Sequence, residues 1–318
     1  MSMLAPGLYA ILDLPHRGGL APEQVVAALV EGAGAGLAAV QLRAKHAGTG
    51  ERIAWLERLL PICAAAGVPL FANDDLDAAL AVPGVAGVHL GQGDAGFDRL
   101  DEVRARAAAG FAVGISTHSL PQLRAALAQR PDYVAFGPVF STTSKRDADP
   151  TVGLEGLADA GRIAARPLVA IGGLDVERAA QAVAVGADRI AVIGGLVATT
   201  AEEISSRARA YVAAITEAAR WWSIDEVHAA IPVLSKPTLE GLARWGDDLG
   251  VLAQMRLPAR FSPRFEGGCA QFRARDVCDL QWALGKHAGE SWAQWTARGD
   301  TDGSATLVQL RSLDRARS

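Results

Sequence analysis

Eight short apolar runs alternate with Ala- and Leu-rich amphipathic segments, and this alternation constrains the fold more than any other feature of the chain. The runs are Leu8–Leu12, Ala38–Leu42, Leu70–Ala72, Val85–Leu90, Phe111–Ile115, Tyr133–Phe136, Leu168–Ile171 and Ile190–Ile193. Short runs of this kind predict strands, and the segments between them predict helices. Eight β/α units in about 215 residues favour a (β/α)8 barrel. An open doubly wound sheet is the alternative, because alternation alone does not show that the strands close into a ring.

The chain changes in character beyond about residue 215. Six of the seven tryptophans lie there, and the alternation of strands and helices stops. Residues 225–230 and 238–252 have helical patterns, whereas Pro258, Pro263, Gly267 and Gly268 indicate a loop. We therefore predict a barrel over residues 1–216 and a Trp-rich C-terminal extension over residues 217–318. The sequence indicates no function for the extension.

Composition limits the classes of partner. The chain has 318 residues, a formal net charge of -4 and a pI near 5.9, which gives no general electrostatic reason to bind nucleic acid. Its three cysteines lack the spacing of a metal site and are too few for a disulfide scaffold. No stretch approaches the roughly 18 apolar residues of a membrane span. We expect a soluble cytoplasmic protein with no nucleic-acid or membrane partner, and a homo-oligomer is compatible with the sequence.

The string Gln41-Leu42-Arg43-Ala44-Lys45 follows the second apolar run. Because alternate residues of a strand point the same way, Gln41, Arg43 and Lys45 share one face at a strand end. In parallel α/β barrels the carboxyl ends of the strands form the rim that binds substrates. Two clustered cations at that rim suit a phosphorylated ligand, and a solvated loop start is the alternative.

Two acids follow the third and fourth runs. Asp74 comes after Leu70–Ala72 and Asp94 comes after Val85–Leu90, so adjacent strands would bring the two carboxylates together. Two carboxylates with amide and water oxygens form a site of the Mg2+ type, which a diphosphate would complete. Helix capping is the alternative for such acids, and we expect it for Asp75.

Hydroxyl and glycine residues follow the later runs. The loop Ser141-Thr142-Thr143-Ser144-Lys145 offers hydroxyls, amides and a cation to a phosphate, and a solvated polar linker is the alternative. Gly172-Gly173 and Gly194-Gly195 let backbone amides approach a ligand after strands seven and eight, the usual phosphate site of this architecture. Ser116 and His118 end the fifth strand, and His118 is a candidate general acid or base, although a histidine that only orients a loop is commoner.

Taken in this order and spacing, the strings from Leu8-Tyr9 to about Leu196 closely resemble the thiamine phosphate synthase family. The resemblance implies a (β/α)8 transferase that uses Mg2+ as its cofactor. It implies two substrates, 4-amino-2-methyl-5-(diphosphooxymethyl)pyrimidine and 4-methyl-5-(2-phosphooxyethyl)thiazole. The products would be thiamine phosphate and diphosphate.

The resemblance also implies roles for individual residues. Those expected to hold the pyrimidine diphosphate are Gln41, Arg43, Lys45, Asn73, Ser116 and Lys145, and those expected to hold the thiazole phosphate are Thr142, Thr143, Ser144, Gly172, Gly173, Ile193 and Gly194. Asp74 and Asp94 would bind Mg2+. The catalytic group would be Arg43, Lys45, Lys145 and Ser116. Our mechanistic hypothesis is ionisation of the pyrimidine diphosphate and capture by the thiazole nitrogen, with no nucleophilic side chain.

Two residues depart from the family pattern. Ser144 replaces the usual threonine and keeps its hydroxyl, whereas Gly194 replaces a usual serine and removes one phosphate donor. Two other functions remain open. A thiazole tautomerase shares the barrel and a histidine at the position of His118, but does not need the diphosphate and Mg2+ groups. A non-catalytic thiamine-pathway binding or regulatory protein could use the extension as its interaction module.

Overall fold

The computed structural model divides into two compact units, one ending at Ala218 and one beginning at Ala219. The residues it describes are 7–94, 96–97, 99–142, 149–164, 166–232, 234, 236–245, 257, 261, 263–266 and 268–287. The boundary expected at residue 216 falls in the last turn of the helix Ala201–Ala218. That helix has no glycine or proline to end it earlier.

Eight parallel strands form the first unit's barrel. Their bounds are β1 Gly7–Asp13, β2 Leu37–Arg43, β3 Leu70–Asn73, β4 Gly87–Leu90, β5 Ala112–Thr117, β6 Tyr133–Phe136, β7 Leu168–Ile171 and β8 Arg189–Val192. Each strand pairs with the next one in chain order, and β8 pairs with β1. The closed ring confirms the (β/α)8 barrel and excludes the open doubly wound sheet.

Helices follow the strands around the barrel. They are α1 Pro22–Ala33, α2 Thr49–Ala65, α3 Leu76–Ala81, α4 Leu100–Arg106, α5 Leu120–Ala128, α6 Gly153–Ile163, α7 Val176–Ala184 and α8 Ala201–Ala218. Asp75, Ser119 and Asp175 cap α3, α5 and α7, each accepting a hydrogen bond from the backbone N–H three residues on. The predicted capping role of Asp75 is thus confirmed. Within the described residues, no helix combines the length and the apolar character needed to cross a membrane.

Aromatic side chains fill the barrel interior. Tyr9, Phe71 and Tyr133 are each at most 2% exposed, and their ring centroids lie 5.7 to 6.0 Å apart. Small residues such as Ala39 and Ala135 pack against them. The barrel is therefore a packed core and not a channel, as expected for eight strands.

Two of the strand starts that differ from the predicted runs show the limits of apolar patterns. β8 begins at Arg189, one residue before the predicted Ile190, because this arginine is buried in the strand and is only 2% exposed. Burial lowers the pKa of the Arg189 guanidinium to about 10. β4 begins at Gly87 and not at Val85. A buried cation gives no apolar signal at the start of β8, whereas Val85 and Ala86 are apolar but precede β4, so apolar patterns misplace both boundaries.

The second unit is a small α+β structure. Its described elements are β9 Trp221–Ser223, α9 Ile224–Ala230, α10 Lys236–Trp245, β10 Arg264–Glu266, β11 Cys269–Arg273 and α11 Ala274–His287. The three strands pair antiparallel in the order β10-β11-β9. Its core contains Val227, Leu239, Phe272 and Leu280, all fully buried.

The sequence predicted this second unit only in part. The helix expected over 225–230 is α9, and the one expected over 238–252 corresponds to α10 as far as Trp245, with residues 246–252 outside the described structure. The hairpin of β10 and β11 surrounds glycines that indicated only a loop. Strands of three to five residues are too short to show a clear alternation.

Candidate active site

The carboxyl ends of the barrel strands enclose a cleft of two connected chambers. The first, which we call the polar chamber, has a volume of about 440 Å3, and its lining includes Gln41, Arg43, Lys45, Asn73, Asp74, Asp94 and Ser116. The second, the glycine-rich chamber, has about 340 Å3 and is lined in part by Thr142, Gly172, Gly173, Ile193 and Gly194. Ser116, His118 and Ile171 line both chambers. Every described residue to which the sequence assigned a ligand therefore borders this one cleft.

Asp74 and Asp94 face each other in the polar chamber. Their carboxyl groups lie within hydrogen-bonding distance, and the Asn73 side chain also hydrogen-bonds Asp74. Burial, the hydrogen bond to Asp94 and the charge of Asp94 raise the pKa of Asp74 to about 6, while the nearby Lys45 ammonium acts in the opposite direction. Gly91 N donates to Asp94 Oδ2 at 2.5 Å and fixes the second carboxylate. Two carboxylates held this close favour a proton or a cation between them.

The backbone of Asp74 is strained. Its φ is 63°, in the left-handed region that non-glycine residues seldom occupy, and its N–H donates to His89 O at 2.8 Å. A residue held in this region costs on the order of 1 kcal/mol and persists only where its surroundings fix it. The strain turns the Asp74 side chain toward Asp94 directly after β3.

Gln41 and Arg43 bring polar groups into the wall of the polar chamber. Gln41 is only 2% exposed, and its Nε2 has no hydrogen-bond partner within the described residues. A buried amide donor without a partner costs free energy unless a ligand or water accepts from it. Arg43 is 9% exposed and donates through Nη1 to Asp13 Oδ1 on the neighbouring strand. Asp13 thereby orients the arginine at the chamber wall.

A chain of hydrogen bonds connects Ser116 with the barrel core. Ser116 Oγ lies 2.8 Å from His89 Nε2, His89 Nδ1 lies 3.0 Å from the Tyr133 hydroxyl, and this hydroxyl lies 2.9 Å from that of Tyr9. Burial raises the pKa of both tyrosine hydroxyls well above the ordinary value, so both remain protonated. His89 thus has both ring nitrogens hydrogen-bonded, as a satisfied structural histidine does, and one of these bonds holds the Ser116 hydroxyl.

Backbone geometry shapes the glycine-rich chamber. Gly172 and Gly173 have φ values of 100° and 64°. A Cβ atom on Gly172 would lie 2.5 Å from Pro138 Cα, and one on Gly173 would lie 2.4 Å from Ser141 O. Both positions therefore require glycine, for conformation and for space. Backbone groups, and not side chains, form this wall of the chamber.

Arg178 supplies positive charge to the glycine-rich chamber. It lies in the first turn of α7, its Nη1 donates to Gly173 O at 3.1 Å, and its guanidinium carbon lies 4.7 Å from the centroid of the Phe140 ring. Of the residues described around this chamber, it is the one lysine or arginine. Its Nε is 3.6 Å from Asp175 Oδ2, which holds the side chain in place.

His118 lies where the two chambers meet. Its Nδ1 donates to Gly137 O at 2.6 Å, and its Nε2 lies 3.5 Å from Asp149 Oδ2. Its backbone N–H donates to Gln122 Oε1 at 2.7 Å. Because a carbonyl oxygen can only accept, Nδ1 carries a proton, and Nε2 faces the Asp149 carboxylate.

Some predicted residues lie outside the described structure, and some site residues were not predicted. Thr143, Ser144 and Lys145 belong to the first group. Arg178 and Asp13 are site residues that the sequence did not predict. The available signals were a cation in the first turn after Gly172-Gly173 and an acid at the end of β1, but each is also an ordinary surface pattern.

These features define a (β/α)8 barrel with a cleft for anionic ligands at the carboxyl ends of its strands. Comparison with known proteins gives the particular family. The chain belongs to the thiamine monophosphate synthase family, whose model matches residues 8–196. Because this family consists of enzymes, the recognition and the enzymatic nature expected from the sequence are confirmed.

Individual relatives agree with this assignment. The thiamine-phosphate synthase of Chloroflexus aurantiacus is 37% identical over 203 residues, which are 64% of this chain and 89% of that protein. The corresponding protein of Methanoregula boonei is 38% identical over 190 residues, 60% of this chain and 85% of the relative. The solved structure of thiamine phosphate pyrophosphorylase from Pyrococcus furiosus matches with a TM-score of 0.58 at 29% identity, covering 68% of this chain and 97% of that one.

Proposed function

We propose that this chain joins 4-amino-2-methyl-5-(diphosphooxymethyl)pyrimidine to 4-methyl-5-(2-phosphooxyethyl)thiazole, giving thiamine phosphate and diphosphate. The observation that carries the proposal is the division of one cleft into two chambers of different chemistry. One chamber contains a carboxylate pair beside two cations, and the other has glycine backbone walls and a single described cation. Two substrates with different phosphate groups suit such a cleft, and the shared lining lets their reacting atoms meet.

The polar chamber suits the pyrimidine diphosphate. The partnerless Nε2 of Gln41 would donate to a ring nitrogen, and the Ser116 hydroxyl, oriented by His89, would contact the ring as a second polar group. Arg43 and Lys45 would bind diphosphate oxygens, the arginine with its planar fork and the lysine as a point charge. Lys145, which lies outside the described residues, would add a third cation.

The carboxylate pair fits Mg2+. The two carboxyl groups offer hard oxygen ligands within hydrogen-bonding distance of each other, and a cation between them would offset both the burial and the negative charge of Asp94 that raise the pKa of Asp74. No group of three or more His, Cys, Asp or Glu residues placed for a metal exists in the described structure. Asp74 and Asp94 would therefore share the ion with phosphate and water oxygens, as Mg2+ sites usually do. When bound, the ion would supply positive charge beside the diphosphate oxygens.

The glycine-rich chamber suits the thiazole phosphate. The backbone around Gly172 and Gly173, the Ile193-Gly194 segment and the Thr142 hydroxyl surround its space. Arg178 would supply charge to the phosphate, and this contribution partly replaces the hydroxyl that is missing at Gly194.

The reaction needs positioning and charge stabilisation more than a reactive side chain. The bond between the pyrimidine methylene carbon and the diphosphate oxygen breaks with its electron pair on the oxygen. Arg43 and Lys45 would stabilise the negative charge where it develops. The thiazole nitrogen then donates its lone pair to the methylene carbon and forms the new C–N bond. No proton must be removed, which agrees with a cleft in which His118 is already engaged by Gly137 and Asp149.

The test is an assay for thiamine phosphate with the purified full-length chain, both phosphorylated substrates, and either Mg2+ or EDTA. We expect product only with Mg2+, and little product from Asp94→Asn. A surface variant such as Asp101→Asn is the matched control, because its side chain is 81% exposed. Isomerisation of the thiazole phosphate without thiamine phosphate would instead support the tautomerase. Binding of the thiazole phosphate without either product would support the regulatory protein.

We also propose a cytoplasmic location. Cys63 and Cys269 form no disulfide in the described structure, which suits a reducing compartment. Labelling of Cys269, the exposed one, in intact and permeabilised cells tests this location. Labelling of intact cells by an impermeant thiol reagent would contradict it.

A further inference from the structure

One arginine behind the polar chamber connects the two segments that carry its cation and its acid. Arg52, in the first turns of α2, donates through Nε to Ala44 O at 3.1 Å and through Nη2 to Lys45 O at 3.5 Å. Its Nη1 donates to Asp75 Oδ2 at 2.9 Å. Arg52 and Asp75 are both absent from the described lining of the polar chamber. The guanidinium thus links the segment after β2 with the segment after β3.

Asp75 is itself held by three partners, one of which is the Thr49 side chain. Its Oδ1 accepts from Ala78 N at 2.9 Å as the cap of α3, and its Oδ2 pairs with Arg52. Its side chain is 8% exposed and that of Arg52 is 22% exposed, so water screens this pair only weakly. The Asp75 carboxylate is therefore held in a fixed position behind the polar chamber.

The residue before this anchor is the strained Asp74. Its left-handed conformation, with φ at 63°, persists only where the surrounding structure fixes it. The hydrogen bond from Asp74 N to His89 O supplies one support. The Arg52–Asp75 pair supplies the other because it fixes the residue that follows.

We propose that Arg52 is a positioning residue that sets the placement of Lys45 relative to Asp74. This inference rests on the proposed function, in which Lys45 binds the diphosphate and Asp74 binds Mg2+. Arg52 touches neither ligand. It acts through two carbonyl groups and one carboxylate that it holds in a fixed arrangement. Without the guanidinium, both segments would stay folded, but the distance between Lys45 and Asp74 would no longer be fixed.

The test compares Arg52→Ala and Arg52→Lys with Arg58→Ala. Arg58 is a matched control because it lies on the same helix and pairs with Glu23, and its guanidinium lies 4.4 Å from the centroid of the Trp55 ring, away from the cleft. Each variant is titrated calorimetrically with inorganic pyrophosphate in the presence of Mg2+. The kinetic constants for the two substrates are then measured separately.

For Arg52→Ala we expect weaker binding of Mg2+ and pyrophosphate by about 10- to 100-fold, the usual effect of removing a group that orients metal ligands. KM for the pyrimidine diphosphate should rise similarly, while KM for the thiazole phosphate stays within about twofold. Arg52→Lys should recover part of the binding because an ammonium reaches one of the three acceptors at a time. Arg58→Ala should match the parent in all constants.

Two results would overturn the inference. One is unchanged binding of Mg2+ and pyrophosphate by a folded Arg52→Ala or Arg52→Lys variant, whatever the change in melting temperature. The other is an equal loss of affinity for both substrates, which would indicate a general distortion of the barrel. If the parent chain bound pyrophosphate but made no product, the proposed function would fail, and the pyrophosphate titration would still decide the role of Arg52. Should Arg52→Ala not fold, Asp75→Asn removes the same ion pair while keeping an Asn cap, and the same loss of binding is expected.

Discussion

Replacing Asp74 by asparagine should stabilise the metal-free protein and at the same time abolish its Mg2+ response. Asparagine has nearly the same shape but no charge, and it tolerates a φ of 63° better than most residues do. The change removes the repulsion between two carboxyl groups that lie within hydrogen-bonding distance. Asp74 would then be a residue that is needed for function and that lowers the stability of the metal-free protein.

The magnitude follows from the pKa of Asp74. This pKa is about 6 in the folded chain and 3.8 for an ordinary aspartate, so the folded state binds the proton more tightly than the unfolded state does. The resulting stabilisation is complete below the unfolded pKa and is lost as the pH rises through about 6. At about 1.4 kcal/mol per pH unit the loss is at most about 3 kcal/mol. Screening of this partly exposed group reduces it to about 1 to 2 kcal/mol.

The assay is thermal unfolding in EDTA followed by circular dichroism. We expect Asp74→Asn to melt about 3 to 6 °C above the parent near pH 8, with less than half of that advantage near pH 4.5. The better fit of asparagine to the left-handed backbone contributes equally at both pH values, so the increase with pH isolates the charge effect. Asp101→Asn, at an exposed acid, should show no such increase. An Asp74→Asn advantage that is absent near pH 8, or that does not grow with pH, would refute this reasoning.

Three further predictions concern the glycine-rich chamber and the second unit. Arg178→Ala should raise KM for the thiazole phosphate about tenfold or more, because it removes a hydrogen bond to a charged group. KM for the pyrimidine diphosphate should stay within about twofold. Equal changes in both KM values would contradict the assignment. Gly173→Ala should destabilise the protein by about 1 to 3 kcal/mol more than Gly67→Ala in denaturant unfolding, because both have positive φ but only at Gly173 would the Cβ meet Ser141 O. A chain ending at Ala218 should keep kcat/KM within about threefold, since each unit has its own core, and a larger loss would show that the second unit takes part in catalysis.

Local patterns were sufficient to predict the barrel and the residues around its cleft. Apolar runs located all eight strands, because short buried strands need continuous apolar sequence whatever surrounds them. The same patterns placed Asp74 and Asp94 after neighbouring strands, and the structure brings their carboxyl groups together. Patterns failed at Arg189, where a buried cation begins β8, and at β10 and β11, whose strands are too short for a period.

The sequence by itself determined where each strand lies along the chain and which polar residues follow it. These properties depend on near neighbours in the chain, whose spacing the backbone geometry dictates. Only the tertiary structure decided which distant side chains meet. The left-handed turn at Asp74, the link from Arg52 to Asp75 and the orientation of Ser116 by His89 all depend on the pairing of neighbouring strands. This pairing fixes distances between loops that come from different parts of the chain, and no local pattern encodes such distances.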